Sequence, residues 1–217
     1  KDITDAVTPG ENGTKGDPKD LATDITAKSG VKEVTVPVTY TDQNGETLTE
    51  PVKVKVTVLP KPTPKGIIVA KDSDKEKAKE KALAKAKEAI ADGTFKGKLP
   101  ENVTNVSIDE NVDNPDLSDD TDVNVTVKYT VGGEEKTTVV KVPVTVVEGV
   151  PQIVPVDENN KQPNPENSID KTEYPDGSTF EYDPKTPIDT TTPGDYTVNV
   201  IVKDKDGNPI AEVPATV

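Results

Sequence analysis

The residues with the greatest capacity for chemistry are carboxylates crowded into one stretch, "DENVDNPDLSDDTD" at 109–122. They are Asp109, Glu110, Asp113, Asp116, Asp119, Asp120 and Asp122. Calcium takes six to eight oxygen ligands, so an acidic loop of this kind could hold the ion. The residue order, however, lacks the D-x-D-x-D-G core and the final Glu of an EF-hand loop. Two interpretations stay open: a calcium site, and a solvated acidic loop that precedes a strand.

The residue types that nucleophilic catalysis uses are missing from the chain. There is no His and no Cys, so a Ser or Thr lacks its usual basic partners. The 40 Asp and Glu residues make chance carboxylate pairs plentiful, and such a pair does not by itself identify an acid–base centre. We therefore predict that the protein is not an enzyme, and we assign no catalytic, cofactor-binding or metal-binding residue and no cofactor.

Charge and composition narrow the partners that the protein can have. The formal net charge is −14 and the chain contains no Arg, whereas phosphate binding requires clustered Lys and Arg. No apolar run approaches the length of a membrane span. We therefore expect no nucleic-acid partner, no membrane partner and a monomer. Without Cys there are no disulfides, which favours either the cytosol or an extracellular protein from an organism that does not rely on them.

Strict apolar alternation identifies the elements that must position any site. Apolar residues recur at every second position in three pairs of segments, and this pattern is typical of half-buried strands. Each pair is joined by a turn signal: Asn44-Gly45, Gly132-Gly133 or Asp206-Gly207. Tyr40 and Tyr129 hold equivalent places, which favours packing under the loops over ligand contacts. The paired segments are 34–40 with 52–58, 123–129 with 140–146, and 196–202 with 211–217.

Proline-rich stretches at 59–66 and 148–155 follow the first two strand pairs and read as linkers. With only 31% hydrophobic and 3% aromatic residues, several small domains fit better than one large core. We place the domains at 1–60, 61–149 and 150–217.

The middle domain contains a helical pattern at about 74–92. Ser73 is the expected N-cap with Glu76 as its capping-box partner, and Gly93 is the expected stop. The apolar stripe comprises Ala78, Ala82, Ala86, Ala89 and Ile90, with Leu83 beside them. Such a stripe suits a helix that covers a small sheet, and it is too weakly apolar for membrane binding. Binding of a partner is the alternative.

Prolines interrupt the strand pattern at Pro143 and Pro214, in the closing strand of two units, and at Pro37 in an opening strand. Proline cannot donate to a β-ladder and is confined to edges and bulges. We predict that Pro143 and Pro214 lie where the strand is an edge or where the missing N–H would face solvent. Such prolines limit edge-to-edge pairing between copies.

The third unit contains "YPDGSTFEYDP" at 174–184 and "DTTTPGDYTVNVIVKDKDGNPIAEVPATV" at 189–217. Its Tyr-Pro-Asp-Gly turn, its Thr-Pro-Gly turn before a Tyr-Thr-Val strand and its Val-Pro-x-x-Val ending resemble the Rib-type domain of Gram-positive bacterial surface proteins over 151–217. The first unit shares "DPK" at 17–19, "SGVKEVTVPVTY" and a closing strand, so it resembles an atypical Rib domain. The middle unit resembles a divergent relative.

The resemblance implies a fold and a function. It implies a mainly β chain, a tandem of small Ig-like β-sandwich domains, with a middle α+β domain that has a single amphipathic helix and a terminal hairpin. It implies an extracellular stalk of a cell-wall-anchored adhesin that projects a distal binding domain. The implied partners are neighbouring tandem domains and, through an anchor outside this segment, peptidoglycan. The alternative is an adhesin module that contacts a host protein or glycan.

Overall fold

The computed structural model describes residues 7–18 and 29–217, and Lys19 of the shared "DPK" lies outside them. This part of the chain is mainly β. Its strands are β1 Gly13–Lys15, β2 Gly30–Thr41, β3 Thr47–Val58, β4 Ile67–Ala70, β5 Val103–Ile108, β6 Thr121–Val131, β7 Glu134–Val147, β8 Thr179–Tyr182, β9 Thr197–Lys203 and β10 Pro209–Thr216. Its helices are α1 Lys75–Ala91 and α2 Gly93–Lys96, with 3-10 turns at Pro165–Ser168 and Lys171–Glu173.

The described strands form three sheets, ordered β1-β2-β3, β4-β7-β6-β5 and β10-β9-β8. All three strand pairs expected from the apolar alternation are neighbours in these sheets. The turn glycines have the positive φ that the hairpins require, for example 82° at Gly45 and 83° at Gly207. The chain divides into two compact units. One comprises Lys1–Pro62, Ile90–Ser107 and Lys128–Thr137, and the other comprises Thr63–Ala89, Ile108–Val127 and Thr138–Val217.

The first sheet contains two prolines that face each other. Pro37 of β2 and Pro51 of β3 are direct partners in the antiparallel register. Since neither nitrogen can donate, this is a non-hydrogen-bonded pair, in which the backbone polar groups point away from the partner strand. The carbonyl oxygen of Pro37 accepts from the amide of Gly16, just beyond β1, at 2.8 Å. The nitrogen of Pro51 points to the opposite side, where β3 has no neighbouring strand among the described residues.

Helix α1 covers one face of the second sheet. Its buried residues are Ala78, Ala82 and Ala86, and these small side chains let the helix lie close to the strands. Among the described residues, no helix combines the length and apolarity that crossing a bilayer requires. The buried cluster that α1 joins also contains Ile67, Val69, Val112, Leu117, Val123, Val125, Val142 and Val144.

The start of α1 is capped by Asp74 and not by Ser73. The Asp74 carboxylate accepts from the amides of Glu76 and Lys77 at 3.1 and 3.2 Å, and its carbonyl accepts from Ala78 at 3.1 Å. Aspartate caps as well as serine does and places a negative charge at the positive end of the helix dipole. The capping assignment made from the sequence was therefore wrong by one residue.

The end of α1 also differs from the expectation. Gly93 does not stop the chain's helical path but begins α2, whose N-cap Asp92 accepts from the amide of Thr94. Phe95 of α2 is buried. The segment expected to hold a single helix therefore holds two.

The third sheet and the loops around it enclose their own core. Val198, Val200 and Val202 of β9 are fully buried, and the aromatic rings of Tyr174 and Phe180 meet edge to face with centroids 5.6 Å apart. The Tyr174 hydroxyl is buried without a hydrogen-bond partner among the described residues. Burial, with a smaller contribution from nearby carboxylates, raises the pKa of Tyr174 to about 12.

Candidate functional site

The acidic stretch 109–122 forms the connection between β5 and β6. Leu117, fully buried, anchors it in the core beneath α1. The Leu117 carbonyl oxygen accepts from the amide of Asp72 at 3.2 Å. The loop is therefore held by its one large apolar residue, and the carboxylates lie around that anchor.

Most carboxylates of this stretch bond individually to nearby groups. Asp120 accepts from the amide of Val146 in β7 at 2.7 Å, and Glu110 pairs with Lys87 of α1 at 2.5 Å. The other printed contacts are Asp109 with the amide of Asn111, Asp116 with that of Ser118, Asp119 with that of Asp120, and Asp122 with Lys141. Across residues 7–18 and 29–217, no group of three or more acidic side chains is arranged to hold a metal ion.

A more definite site lies where the second sheet meets the third, and we call residues 147–152 together with β4 and β10 the junction. Strand β4 contributes to both cores. Ile67 and Val69 belong to the cluster under α1, whereas Ile68 packs against the cluster of the third sheet. Val147, the last residue of β7, is buried in that same third-sheet cluster. Alternate side chains of adjacent strands thus join the two cores.

The chain that leaves β7 is hydrogen-bonded at successive residues. Gly149 forms a β-bridge with Ile169, Val150 donates to the carbonyl oxygen of Ser168 at 2.8 Å, and Gln152 donates to that of Thr216 at 2.9 Å. A segment expected to be a free linker is therefore tied by its backbone to the domain that follows.

Gly149 is the point of closest approach in the junction. A Cβ atom there would lie 2.8 Å from both Cα and Cβ of Ala215 and would overlap the carbonyl oxygen of Pro214. Only glycine therefore fits between β7 and β10 at this position.

Side chains lock the same segment from the other side. The Tyr182 hydroxyl donates to Oε1 of Gln152 at 3.0 Å and lies 2.9 Å from the Ser168 hydroxyl. Ser168 is fully buried and also donates to Gln152 Oε1, at 3.2 Å. Burial raises the pKa of Tyr182, and the bond to Ser168 opposes that rise.

A cleft of about 480 Å³ opens beside the junction. Lys71 forms an ion pair with Glu148 across it, and this hydrogen bond and attraction raise the pKa of Lys71. Asp119, Asp170 and Glu173 also line the cleft. Burial, followed by the charges of Asp170, Asp120 and Glu148, raises the pKa of Glu173.

Two prolines border the junction with their nitrogens turned away from the ladder. Tyr196 and Val217 exchange two hydrogen bonds, at 2.8 and 3.0 Å, so alternation makes Pro214 and Asn199 a non-hydrogen-bonded pair. Pro214 lies in β10, the edge strand of its sheet as described. Its nitrogen therefore faces the open side of that edge.

Pro143 lies in an interior strand, since β4 and β6 flank β7. Pairing with β4 begins only at Val144, opposite Ile67. Lys71 donates to the carbonyl of Val147, on the β4 side, and alternation turns Pro143 to that side too. The proline thus stands one residue before the β4 ladder starts, where the strand is locally an edge.

The junction continues into an apolar segment that the sequence analysis did not single out as exposed. Ile153 is 99% exposed, and Val150 and Val156 are 41% and 53% exposed. The spacing of three and the flanking Pro151 and Pro155 were the available signal. The half-buried Tyr40, by contrast, packs against the cluster of the first sheet.

A mainly β fold, whose most constrained contacts join one small sheet to the next, defines a structural protein. The family model of the Rib domain matches residues 147–217, which confirms the resemblance identified for the third unit. Rib domains are structural repeat domains of extracellular surface proteins. No curated protein matches the chain.

Proposed function

We propose that this chain is a stiff spacer in a cell-wall-anchored surface protein of a Gram-positive bacterium, where it holds a distal binding domain away from the wall. Tandem Rib-like domains at 1–60 and 150–217, with a divergent α+β domain between them, form the spacer. Peptidoglycan, reached through an anchor outside this segment, and the neighbouring domains are its partners.

The observation that carries this proposal is the junction. A flexible linker would leave its backbone in water, but Gly149, Val150 and Gln152 are all tied to the Rib domain. Ile68 and Val147 add apolar contacts from the preceding sheet. Bending there would break backbone hydrogen bonds and expose apolar surface at once, so both contributions resist it.

Distance measurements between two spin labels test stiffness at the junction. The chain has no Cys, so Glu80→Cys on α1 and Lys185→Cys in the Rib domain, both at exposed positions, label without background. We expect one narrow distance distribution. A broad distribution in the otherwise unaltered chain would overturn the stiff spacer.

Solution scattering tests the spacer as a whole. A single compact domain of this length has a radius of gyration of about 17 Å. We expect a clearly larger value, and a value near the compact one would contradict the proposal.

A second candidate is an adhesin module that binds a host protein or glycan, and the exposed segment at Val150, Ile153 and Val156 favours it. Binding of the whole chain to immobilised host matrix proteins, lost on Ile153→Ser and retained on Leu48→Ser, would support it. Leu48 is a matched control because it is also exposed, at 62%, on another sheet.

A further inference from the structure

Two hairpin turns of this chain share one hydrogen-bonding scheme. In the β2–β3 turn, the Asp42 amide donates to the Glu46 carbonyl at 2.9 Å and the Gly45 amide donates to the Asp42 carbonyl at 3.1 Å. The Asp42 carboxylate accepts from the amides of Asn44 and Glu46 at 2.9 and 2.8 Å.

The β9–β10 turn repeats each of these bonds. The Asp204 amide donates to the Asn208 carbonyl at 2.9 Å and the Gly207 amide donates to the Asp204 carbonyl at 3.0 Å. The Asp204 carboxylate accepts from the amides of Asp206 and Asn208 at 3.0 and 2.8 Å. The two turns therefore have the same backbone path, and Asn44 occupies the position that Asp206 occupies in the other.

We propose that Asn44 is a site of spontaneous deamidation and that its aspartate product keeps the native turn. The Gly45 backbone nitrogen attacks the Asn44 side-chain carbonyl carbon, a C–N bond forms and ammonia leaves. Water then opens the resulting succinimide to aspartate or to isoaspartate. Aspartate is the residue that the β9–β10 turn already carries, so this product retains the Asp42 hydrogen bonds. Isoaspartate inserts a methylene into the backbone and breaks them.

The surroundings of Gly45 permit this reaction. Asn44 and Gly45 are exposed, so water reaches the succinimide, and no heavy atom lies within 4 Å of the place where a Cβ of Gly45 would be. The Gly45 amide must first leave the Asp42 carbonyl, and an exposed turn at the end of a hairpin opens locally at little cost.

The chain contains a second Asn-Gly pair that serves as an internal control. Gly13 begins β1 and pairs with Tyr40, and a Cβ at Gly13 would lie 2.8 Å from Pro9 Cβ and 2.9 Å from Tyr40 Cε1. Attack by the Gly13 nitrogen on Asn12 would require that crowded segment to rearrange. We therefore expect Asn44 to react several times faster than Asn12 in the folded chain and at a similar rate in denaturant.

Peptide mapping of the whole chain after incubation at mildly alkaline pH measures both rates. Cleavage after lysine yields peptide 33–53, in which Asn44 is the only asparagine, and peptide 2–15, in which Asn12 is the only one. We expect the one-dalton mass increase to accumulate several-fold faster in peptide 33–53 when the chain is folded. Equal rates in the folded chain, or a faster Asn12, would overturn the proposal.

The Asn44→Asp variant tests the product separately. We expect its melting temperature and its amide NMR spectrum outside the turn to match those of the parent chain. Loss of the hairpin signals in Asn44→Asp would contradict the claim that the aspartate turn is native-like.

Discussion

Gly149 and Pro214 approach so closely that no side chain fits between them at residue 149. They belong to different strand systems, since Gly149 follows β7 of the second sheet and Pro214 lies in β10 of the third. This contact fixes where the Rib domain begins relative to the strand before it. It also makes Gly149 the most sensitive single position for the proposed stiffness.

Replacement of Gly149 by alanine should destabilise the protein by about 1–3 kcal/mol, the usual cost of overpacking a well-packed site. Urea unfolding of the whole chain measures the loss, and the spin-label distance distribution should broaden. Gly93→Ala is the matched control, because no heavy atom lies within 4 Å of a Cβ there. Equal stability of Gly149→Ala and the parent chain would show that β10 moves aside without cost.

Leu117→Ala should cost about 2–5 kcal/mol, because it removes a fully buried side chain and leaves a cavity beneath α1. Leu48→Ala, the same change at an exposed position in β3, should stay within about 0.5 kcal/mol of the parent chain. Thermal and urea unfolding compare the two variants. If Leu117→Ala were as mild as Leu48→Ala, the acidic stretch would not be anchored by that residue.

Glu173→Gln should raise the melting temperature at neutral pH. The pKa of Glu173 is raised above 4.5 in the folded protein, so the folded state favours the protonated form. Its contribution to stability therefore falls as pH rises from the ordinary value through the folded pKa. The gain from Glu173→Gln should be present at neutral pH and vanish near pH 4.5. Glu135→Gln, which removes one negative charge at an exposed position in β7, should not reproduce this pH profile.

Pro51→Thr should increase concentration-dependent self-association, because it restores an N–H group on the outer side of the edge strand β3. Pro37→Thr is matched to it: the two residues are partners in the register, but the nitrogen of Pro37 faces the β1 side. Sedimentation velocity at several concentrations distinguishes the variants. Equal association of both would show that Pro51 does not protect the edge.

Millimolar calcium should leave the melting temperature unchanged relative to a chelator at equal ionic strength. The reason is that carboxylates of the acidic stretch are engaged separately, Asp120 by Val146 and Glu110 by Lys87. A clear rise with calcium, absent with magnesium, would establish the calcium interpretation instead.

Local patterns in the sequence determined the strand pairs, their turns and the approximate helix. Alternation in 34–40 specifies which face of β2 is buried whatever the rest of the chain does. The Asn44-Gly45 and Asp206-Gly207 turns follow from the positive φ that glycine tolerates. The Rib motifs, being turns and strand endings, could be read for the same reason.

Tertiary structure alone decided the junction and the fate of the acidic residues. Nothing local marks Gly149 as indispensable, since its neighbours Pro214 and Ala215 are far away in the chain. Strand β4 is too short to show a period, and its residues divide between two cores only because a sheet lies on one side and the Rib domain on the other. The acidic stretch was ambiguous because composition gives the number of carboxylates, whereas long-range contacts decide which amide or lysine each one meets.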